Sequence, residues 1–277
     1  MRYLLAVSLI WAFSPGLTKG LTSGLDPSFV AAARLGVALL VFLPFLRLKG
    51  LTAPLALRLA GIGAVQFGVM YLAYNAAFRL LASHEVALFT LTTPVLVTLL
   101  ADALDRQFRT RALAAALLAV GGTVVLVFTG RELQPTATGL LLVQLSNLAF
   151  AFGQVAYKRL RAQHPGLRDR DIFALPYAGA FALALVATML RPISLELDPR
   201  QLITRGYLGG VASGLGFFLW NKGATQVGSG TLAVMNNAKI PLMVACSLLF
   251  FGEYADIPRL AVSLVLLTTA VWFAEKR

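Results

Sequence analysis

The chain has 277 residues, of which 58% are hydrophobic and 13% are charged, and its formal net charge is +12. Soluble domains carry about 25% charged residues, so this composition excludes an ordinary soluble enzyme or binding domain and favours an integral membrane protein. The basic residues lie mostly in short loops between apolar segments, where they set membrane topology. We therefore expect membrane lipids around the chain and no nucleic-acid partner.

Ten apolar segments follow one another along the chain, each close to the length of about 20 residues that crosses a bilayer as a helix. The predicted spans are 3–22, 29–46, 58–80, 84–101, 111–129, 137–157, 172–190, 204–224, 229–250 and 258–274. Most connections are very short, so consecutive helices must be antiparallel neighbours. The fold class predicted from this pattern is an all-α integral membrane protein with ten transmembrane helices.

The distribution of basic residues predicts the orientation of these helices. With a cytoplasmic N-terminus, the cytoplasmic side holds 15 lysines and arginines and the opposite side holds 7. Cytoplasmic loops are enriched in these residues. We therefore expect a multi-pass protein of a bacterial inner membrane with both termini in the cytoplasm.

Two halves of the sequence resemble each other. An aromatic-asparagine pair, Tyr74-Asn75, precedes Pro94, and a second pair, Trp220-Asn221, precedes Pro241; the separations from aromatic residue to proline are 20 and 21 residues. Chance similarity between apolar segments is the alternative explanation. Five spans per half is an odd number, so we predict two inverted five-helix repeats, 1–132 and 133–277. Such repeats support alternating access around a site near the membrane midplane.

Lys239 is the most informative single residue. It lies about ten residues from either end of the ninth span, roughly 15 Å at the helical rise of about 1.5 Å per residue. A charge at such depth is costly and is expected to face water or a partner. When the two halves are aligned on Pro94 and Pro241, Thr92 of the first half matches Lys239 of the second. The fold itself therefore does not require a lysine at this position. We predict that Lys239 binds an anionic group of the substrate; the alternative is a neutral amine bonded to backbone carbonyls.

Asn236 lies one helical turn before Lys239 on the same face, and Asn237 is adjacent to Asn236. Two amides beside an ammonium suit the polar head of an amino acid or a hydroxy acid. In membranes, however, amides also form hydrogen bonds between neighbouring helices. Both interpretations remain open from the sequence.

The sixth span carries Asn147 and Gln154 on one face. The first span repeats this spacing, with Trp11 at the position that corresponds to Asn147 and Thr18 at the position that corresponds to Gln154. A polar stripe is unfavourable against lipid. Asn147, Gln154 and Trp11 are therefore predicted to line a central cavity, with helix–helix contact as the alternative.

The third span places Tyr71, Tyr74 and Asn75 on one face, where they also are predicted to contact substrate. Aromatic residues at membrane interfaces are the alternative explanation for the two tyrosines. Pro94 and Pro241 remove backbone donors in the middle of spans, and we predict that they act as hinges.

The sequence shows no enzyme motif. His84 and His164 are far apart and near predicted loops, and neither a Gly-x-Ser-x-Gly motif nor a phosphate-binding glycine loop is present. The single cysteine, Cys246, excludes a thiolate cluster. We expect no cofactor, no metal and no use of ATP.

The chain resembles the drug/metabolite transporter superfamily, specifically its ten-span EamA-type branch. The resemblance rests on the order of several motifs along nearly the whole chain, namely Ser8-Leu9-Ile10-Trp11-Ala12-Phe13, Arg34 in an Ala-Ala-Arg stretch, Trp220-Asn221, Pro241 and Gly252-Glu253. It implies two inverted five-span repeats, a central cavity lined by spans 1, 3, 4, 6, 8 and 9, and transport of small metabolites, frequently export of amino acids. The sequence departs from the family pattern in Asn236-Asn237-Ala238-Lys239, which is more polar than the usual apolar run.

We therefore predict a secondary active transporter, a monomer or homodimer, that exports amino acids or related organic acids by alternating access. The alternatives are a carrier of phosphorylated or other anionic metabolites, a membrane enzyme acting on lipid-linked substrates, and a membrane interaction protein without transport activity.

Overall fold

A computed structural model describes residues 1–12, 26–128, 130, 133–190, 206–251 and 256–275. Within these residues the chain is helical and contains no strand, which confirms the all-α class. The helices in chain order are α1 Arg2–Ala12, α2 Pro27–Phe45, α3 Ala53–Ala77, α4 His84–Asp105, α5 Thr110–Val127, α6 Ala137–Gln163, α7 Asp169–Met189, α8 (Leu208–Leu215 followed by Gly216–Ala224), α9 Ser229–Phe251 and α10 Ile257–Glu275. The Gly252-Glu253 motif lies outside the described residues.

In this part of the chain, seven helices are long and apolar enough to cross a membrane: α2 to α7 and α10. The predicted number of ten transmembrane helices therefore stays a prediction. The boundaries of α2, α5 and α10 agree with the predicted spans to within two residues. Helix α6 is six residues longer than its predicted span, because its last turns are mostly polar and Arg161 forms an ion pair with Asp169 in the segment that follows.

Side chains at the helix ends explain several of these boundaries. Asp26 caps α2, accepting hydrogen bonds from the backbone N–H groups of Ser28 (2.8 Å) and Phe29 (3.3 Å), and a proline follows at the first helical position. Arg106 adopts a left-handed conformation (φ 51°) and ends α4. Thr136 caps α6 by accepting from the N–H of Gly139 at 3.2 Å.

The two prolines predicted to be hinges lie in different local structures. Helix α4 is interrupted at Leu91 and Thr92, just before Pro94, whereas α9 continues through Pro241. Because Pro94 has no N–H, the carbonyl of Thr90 lacks its helical donor. The hydroxyl of Thr93 donates to that carbonyl at 2.7 Å instead.

Both halves contain a π-helical stretch at matching positions. In α3 it covers Ala64–Val69 and in α8 it covers Leu208–Leu215. When the two halves of the sequence are aligned so that Tyr74 matches Trp220, the stretch in α3 falls within the stretch in α8. π-Helical turns leave backbone groups out of the regular hydrogen-bond pattern and are common at functional sites. This local irregularity is therefore a shared feature of the two halves.

Six helices surround the region that contains Lys239. Helix α1 packs against α8 and α9, α9 packs against α4, and α6 packs against both α3 and α4. These are the six spans predicted to line the central cavity. Outside them, α2 and α7 pack against each other and against α8 and α3, and α5 packs against α9 and α10.

Candidate functional site

Lys239 points into the helix bundle from the middle of α9. Its Nζ atom lies 5.2 Å from the centroid of the Trp11 ring on α1. The side chain is partly exposed, whereas Asn236 on the same face of α9 is only 2% exposed. Among the described residues, Lys239 forms no ion pair with a carboxylate, and its only contact with another polar or aromatic group is the one with Trp11. The ammonium is thus available to an anion.

Aromatic rings from three helices form the apolar wall beside this ammonium. Trp11 stacks on Trp220 at a centroid distance of 5.2 Å and contacts the edge of Phe217 at 5.3 Å. Phe150 packs against Trp11 at 6.4 Å and against Phe217 at 5.9 Å. The indole N–H of Trp11 donates to the carbonyl of Ala212 in the π-helical stretch of α8, at 2.8 Å. This bond fixes the ring on which Lys239 rests.

The binding residues predicted from sequence do not include Phe150. A signal for Phe150 was present, because it lies three residues after Asn147 and four before Gln154, on the same face of α6. The tertiary structure adds the Phe150 ring to the site.

An amide network lies directly behind the aromatic wall. Gln154 accepts hydrogen bonds from the indole N–H of Trp220 (3.0 Å) and from the amide of Asn236 (3.2 Å), and it donates to Asn236 at 3.3 Å. Gln154 and Trp220 are completely buried. The network joins α6, α8 and α9, so it holds the face of α9 that carries Lys239 against the other helices.

Replacing Gln154 by leucine is expected to lower the stability of the protein, because the buried N–H of Trp220 loses its partner and the amide of Asn236 keeps only its hydrogen bond to the carbonyl of Leu232. A buried donor left unpaired costs about 1–3 kcal/mol. We expect a lower thermal unfolding temperature in detergent. The matched control is Gln163→Leu at the exposed end of the same helix, and equal unfolding temperatures for the two variants would contradict the network.

Two of the predicted binding residues, Asn147 and Asn237, bind the interruption in α4. The amide of Asn147 donates to the carbonyl of Phe89 (2.9 Å) and to the hydroxyl of Thr92 (3.1 Å). The amide of Asn237 on α9 donates to the carbonyl of Leu91 (3.1 Å). Both side chains are buried. Their donors therefore satisfy backbone groups next to a proline, as is required inside a membrane, and their contact with substrate stays a prediction.

The predicted residues of α3 divide into two groups. Tyr71 contacts Phe217 at a centroid distance of 5.8 Å, and its hydroxyl shares a hydrogen bond of 2.8 Å with Ser213. Tyr74 instead packs against Phe78 at 5.0 Å, and Asn75 donates to a backbone carbonyl of α2 at 3.1 Å. The structure therefore joins Tyr71 to the site but gives Tyr74 and Asn75 other neighbours.

Arg34 on α2 lies beside Tyr71. Its Nε donates to the hydroxyl of Ser213 at 3.1 Å, and its guanidinium carbon lies 4.8 Å from the centroid of the Tyr71 ring. The side chain is partly exposed. A second cation thus lies at the other end of the aromatic row formed by Trp11, Phe217 and Tyr71.

Corresponding positions in the two halves make corresponding contacts. The sequence spacings pair Thr92 with Lys239 and Asn147 with Trp11. In the structure, Thr92 contacts Asn147 at 3.1 Å and Lys239 lies over Trp11 at 5.2 Å. Each contact joins one residue of the first half to one residue of the second, so a neutral hydrogen bond occupies the place that the repeat relates to a cation on an aromatic ring.

No group of three or more histidine, cysteine, aspartate or glutamate residues that could bind a metal occurs in the described part of the chain. Two segments of the chain, residues 1–128 and 137–274, match the EamA-like transporter family. The chain belongs to this family.

Curated relatives of this EamA-like transporter cover nearly the whole chain. A protein of Pseudomonas aeruginosa described as "Probable biotin transporter" is 42% identical over 98% of this chain and 96% of its own length. The "Biotin transporter" of Escherichia coli K12 is 37% identical over 100% of this chain and 93% of its own. The same name and identity apply to a Salmonella typhimurium relative. The family and these relatives show a transporter of small metabolites and not an enzyme, and they give no support to the predicted export of amino acids.

The fold of this EamA-like transporter is also found among solved structures. One of them, described as "Crystal structure of protein", aligns with a TM-score of 0.80 at 19% identity, over 99% of this chain and 96% of its own. At this identity the similarity concerns the fold alone.

Proposed function

We propose that this chain transports biotin across a bacterial inner membrane by alternating access of its two repeats, with both termini in the cytoplasm. The observation that carries the proposal is the ammonium of Lys239, which lies on Trp11 without an acidic partner among the described residues. The names of relatives that are 37–42% identical support the choice of substrate. Biotin replaces the amino acids expected from sequence, and it belongs to the broader class of organic acids.

The chemistry of biotin suits the arrangement of these side chains. Biotin carries one carboxylate on a flexible aliphatic chain, and its other end is an apolar ring fused to a ureido group. In the proposed complex the carboxylate accepts a charge-assisted hydrogen bond from Lys239. Such bonds are stronger than neutral ones, and a pair of opposite charges is less costly inside a membrane than a single one.

The apolar part of biotin would lie along the aromatic wall. Trp11, Phe150 and Phe217 offer contiguous ring surface beside Lys239, with centroid separations between 5.3 and 6.4 Å. Ligand sites in proteins combine such apolar walls with a few oriented polar groups. Aromatic rings cover the aliphatic chain and the sulfur ring at little cost in side-chain entropy.

The ureido group would meet the far end of the aromatic row. Its carbonyl is a strong acceptor, and Tyr71 and Arg34 supply hydroxyl and guanidinium donors there. Ser213 holds both of them by hydrogen bonds of 2.8 and 3.1 Å. In this arrangement Asn147, Asn237 and Asn75 support the helices, and Pro94 and Pro241 remain the proposed hinges.

Uptake of radiolabelled biotin by proteoliposomes containing the purified chain tests the proposal. We expect saturable uptake that unlabelled biotin abolishes and that protein-free vesicles lack. A competitor panel of amino acids, phosphorylated sugars and biotin separates the three substrate classes. Saturable uptake of another class without competition by biotin would contradict the proposal.

A further inference from the structure

Lys239 lies far from the other titratable residues on the helices around it, among the residues that the structure describes. In the described part of the chain, the titratable residues of the helices packed against α9 or bonded to it lie within two turns of a helix end, far from Lys239. They are Arg2 and Tyr3 on α1, His84, Glu85, Asp102 and Asp105 on α4, Arg111 on α5, Tyr157, Lys158, Arg159 and Arg161 on α6, Lys222 on α8, and Arg259 and Glu275 on α10. Among the described residues of these helices, Lys239 in the middle of α9 is the one ionisable group that faces the aromatic wall; Tyr71 on α3 and Arg34 on α2 lie at the other end of the aromatic row.

The two buried carboxylates that come closest to the membrane interior are already engaged. Glu85 accepts hydrogen bonds from the backbone N–H groups of Ala82 (2.9 Å) and Gln134 (2.8 Å). Asp102 accepts from the backbone N–H of Arg109 at 2.9 Å and pairs with its guanidinium at 3.1 Å. Both carboxylates are therefore engaged by donors at the helix ends and not by groups of the site.

An empty carrier with a charged Lys239 would have to move an unpaired ammonium through the membrane interior, which is costly. Two forms of the site avoid this cost. In one, the ammonium is paired with a carboxylate and the pair has no net charge. In the other, the site is empty and the lysine is a neutral amine. Lysine can adopt both protonation states, whereas arginine stays charged.

We propose that Lys239 is also the proton-coupling site of this carrier, so that one proton crosses the membrane with each carboxylate substrate. This inference rests on the proposed transport of biotin. On one side of the membrane the amine of Lys239 takes a proton from water and binds the biotin carboxylate. On the other side the carboxylate leaves, the N–H bond breaks, and the proton returns to water.

The direction of coupling follows from the charges. Biotin binds the protonated site, so the proton and the substrate raise each other's affinity by the same factor and travel in the same direction. The cycle moves no net charge. A proton gradient directed inward would therefore drive uptake, and an electrical potential alone would have no effect.

Accumulation of radiolabelled biotin in proteoliposomes containing the whole chain tests the proposal. With a pH one unit lower outside than inside, we expect the internal biotin concentration to approach about ten times the external one, because one proton enters with each biotin. Potentials imposed with potassium and valinomycin should change nothing. Protein-free vesicles measure the diffusion of protonated biotin, which the same gradient also drives, and this value is subtracted.

Lys239→Arg identifies the site of coupling. The variant keeps a positive charge but cannot release its proton, so we expect slower exchange of biotin for biotin and no accumulation above the external concentration. Accumulation equal to that of the wild type would show that another residue binds the transported proton, and would overturn the proposal. If the variant does not bind biotin, Glu85→Gln and Asp102→Asn decide: loss of pH-driven accumulation in either, with exchange intact, overturns the proposal, and unchanged accumulation in both supports it.

The wild type separates the two proposals. If it transports no biotin, the proposed function is wrong. If it transports biotin without any response to the pH gradient, the function stands and the coupling at Lys239 is wrong.

Discussion

Lys239→Gln is expected to weaken biotin binding by about 10- to 100-fold. A hydrogen bond to a charged group contributes about 1.5–3 kcal/mol, and each 1.4 kcal/mol changes the dissociation constant about tenfold. Glutamine keeps a polar side chain of similar length but removes the charge. The loss should be specific for the carboxylate, so the affinity for biotin amide, which has no charge, should change far less. Competition against labelled biotin in detergent measures both affinities.

The matched control is Lys222→Gln. Lys222 also lies over an aromatic ring, 4.8 Å from the centroid of Tyr3, but it lies at the end of α8, away from the aromatic wall. We expect wild-type affinity for both ligands. Equal losses of affinity for biotin and for its amide in Lys239→Gln would indicate that Lys239 contributes by its shape rather than by its charge. An unchanged affinity for biotin would show that another residue binds the carboxylate.

Gly63→Ala is expected to be the most destabilising single substitution considered for the fold. A Cβ atom at Gly63 would lie 1.9 Å from the carbonyl oxygen of Pro176 on α7. That neighbour is backbone and cannot rotate away, so α3 and α7 must separate. Overpacking costs about 1–3 kcal/mol and occasionally more, and we expect a value at or above the upper end. Yield of folded protein and unfolding temperature in detergent measure the effect.

Gly61→Ala is the control for this substitution, on the same helix and two residues away. A Cβ atom there would have no neighbour within 4 Å. Alanine is a better helix former than glycine by about 1 kcal/mol, so this variant should be as stable as the wild type or more so. If both variants behave alike, the close approach of α3 and α7 at Gly63 is wrong.

Much of the architecture could be predicted from the sequence because it follows from the solvent. A bilayer requires apolar helices of nearly fixed length, so composition and segment length determine the fold class and most helix boundaries. The depth of Lys239 was also readable, since distance along a helix is proportional to residue number. The end of α6 was misjudged because its last turns are polar, and hydropathy does not follow a helix beyond the membrane.

The partners of each side chain depend on which helices meet, and one sequence does not contain that information in readable form. Spacing placed Asn236 and Asn237 beside Lys239. Only the tertiary structure shows that they have different partners: Asn236 bonds to Gln154, and Asn237 bonds to the interruption in α4. The difference between Pro94, where α4 is interrupted, and Pro241, through which α9 continues, has the same origin. Neighbouring helices decide whether freed backbone groups find donors.

The sequence by itself therefore determined an apolar, helical membrane protein with two related halves and one lysine deep in a span, because these properties depend on composition and periodicity. The tertiary structure decided that Trp11, Phe150 and Phe217 converge beside that lysine and that no described carboxylate pairs with it. Such convergence is a contact between residues far apart in the chain. It arises from the packing of α1, α6, α8 and α9, which the pattern of a single helix cannot specify.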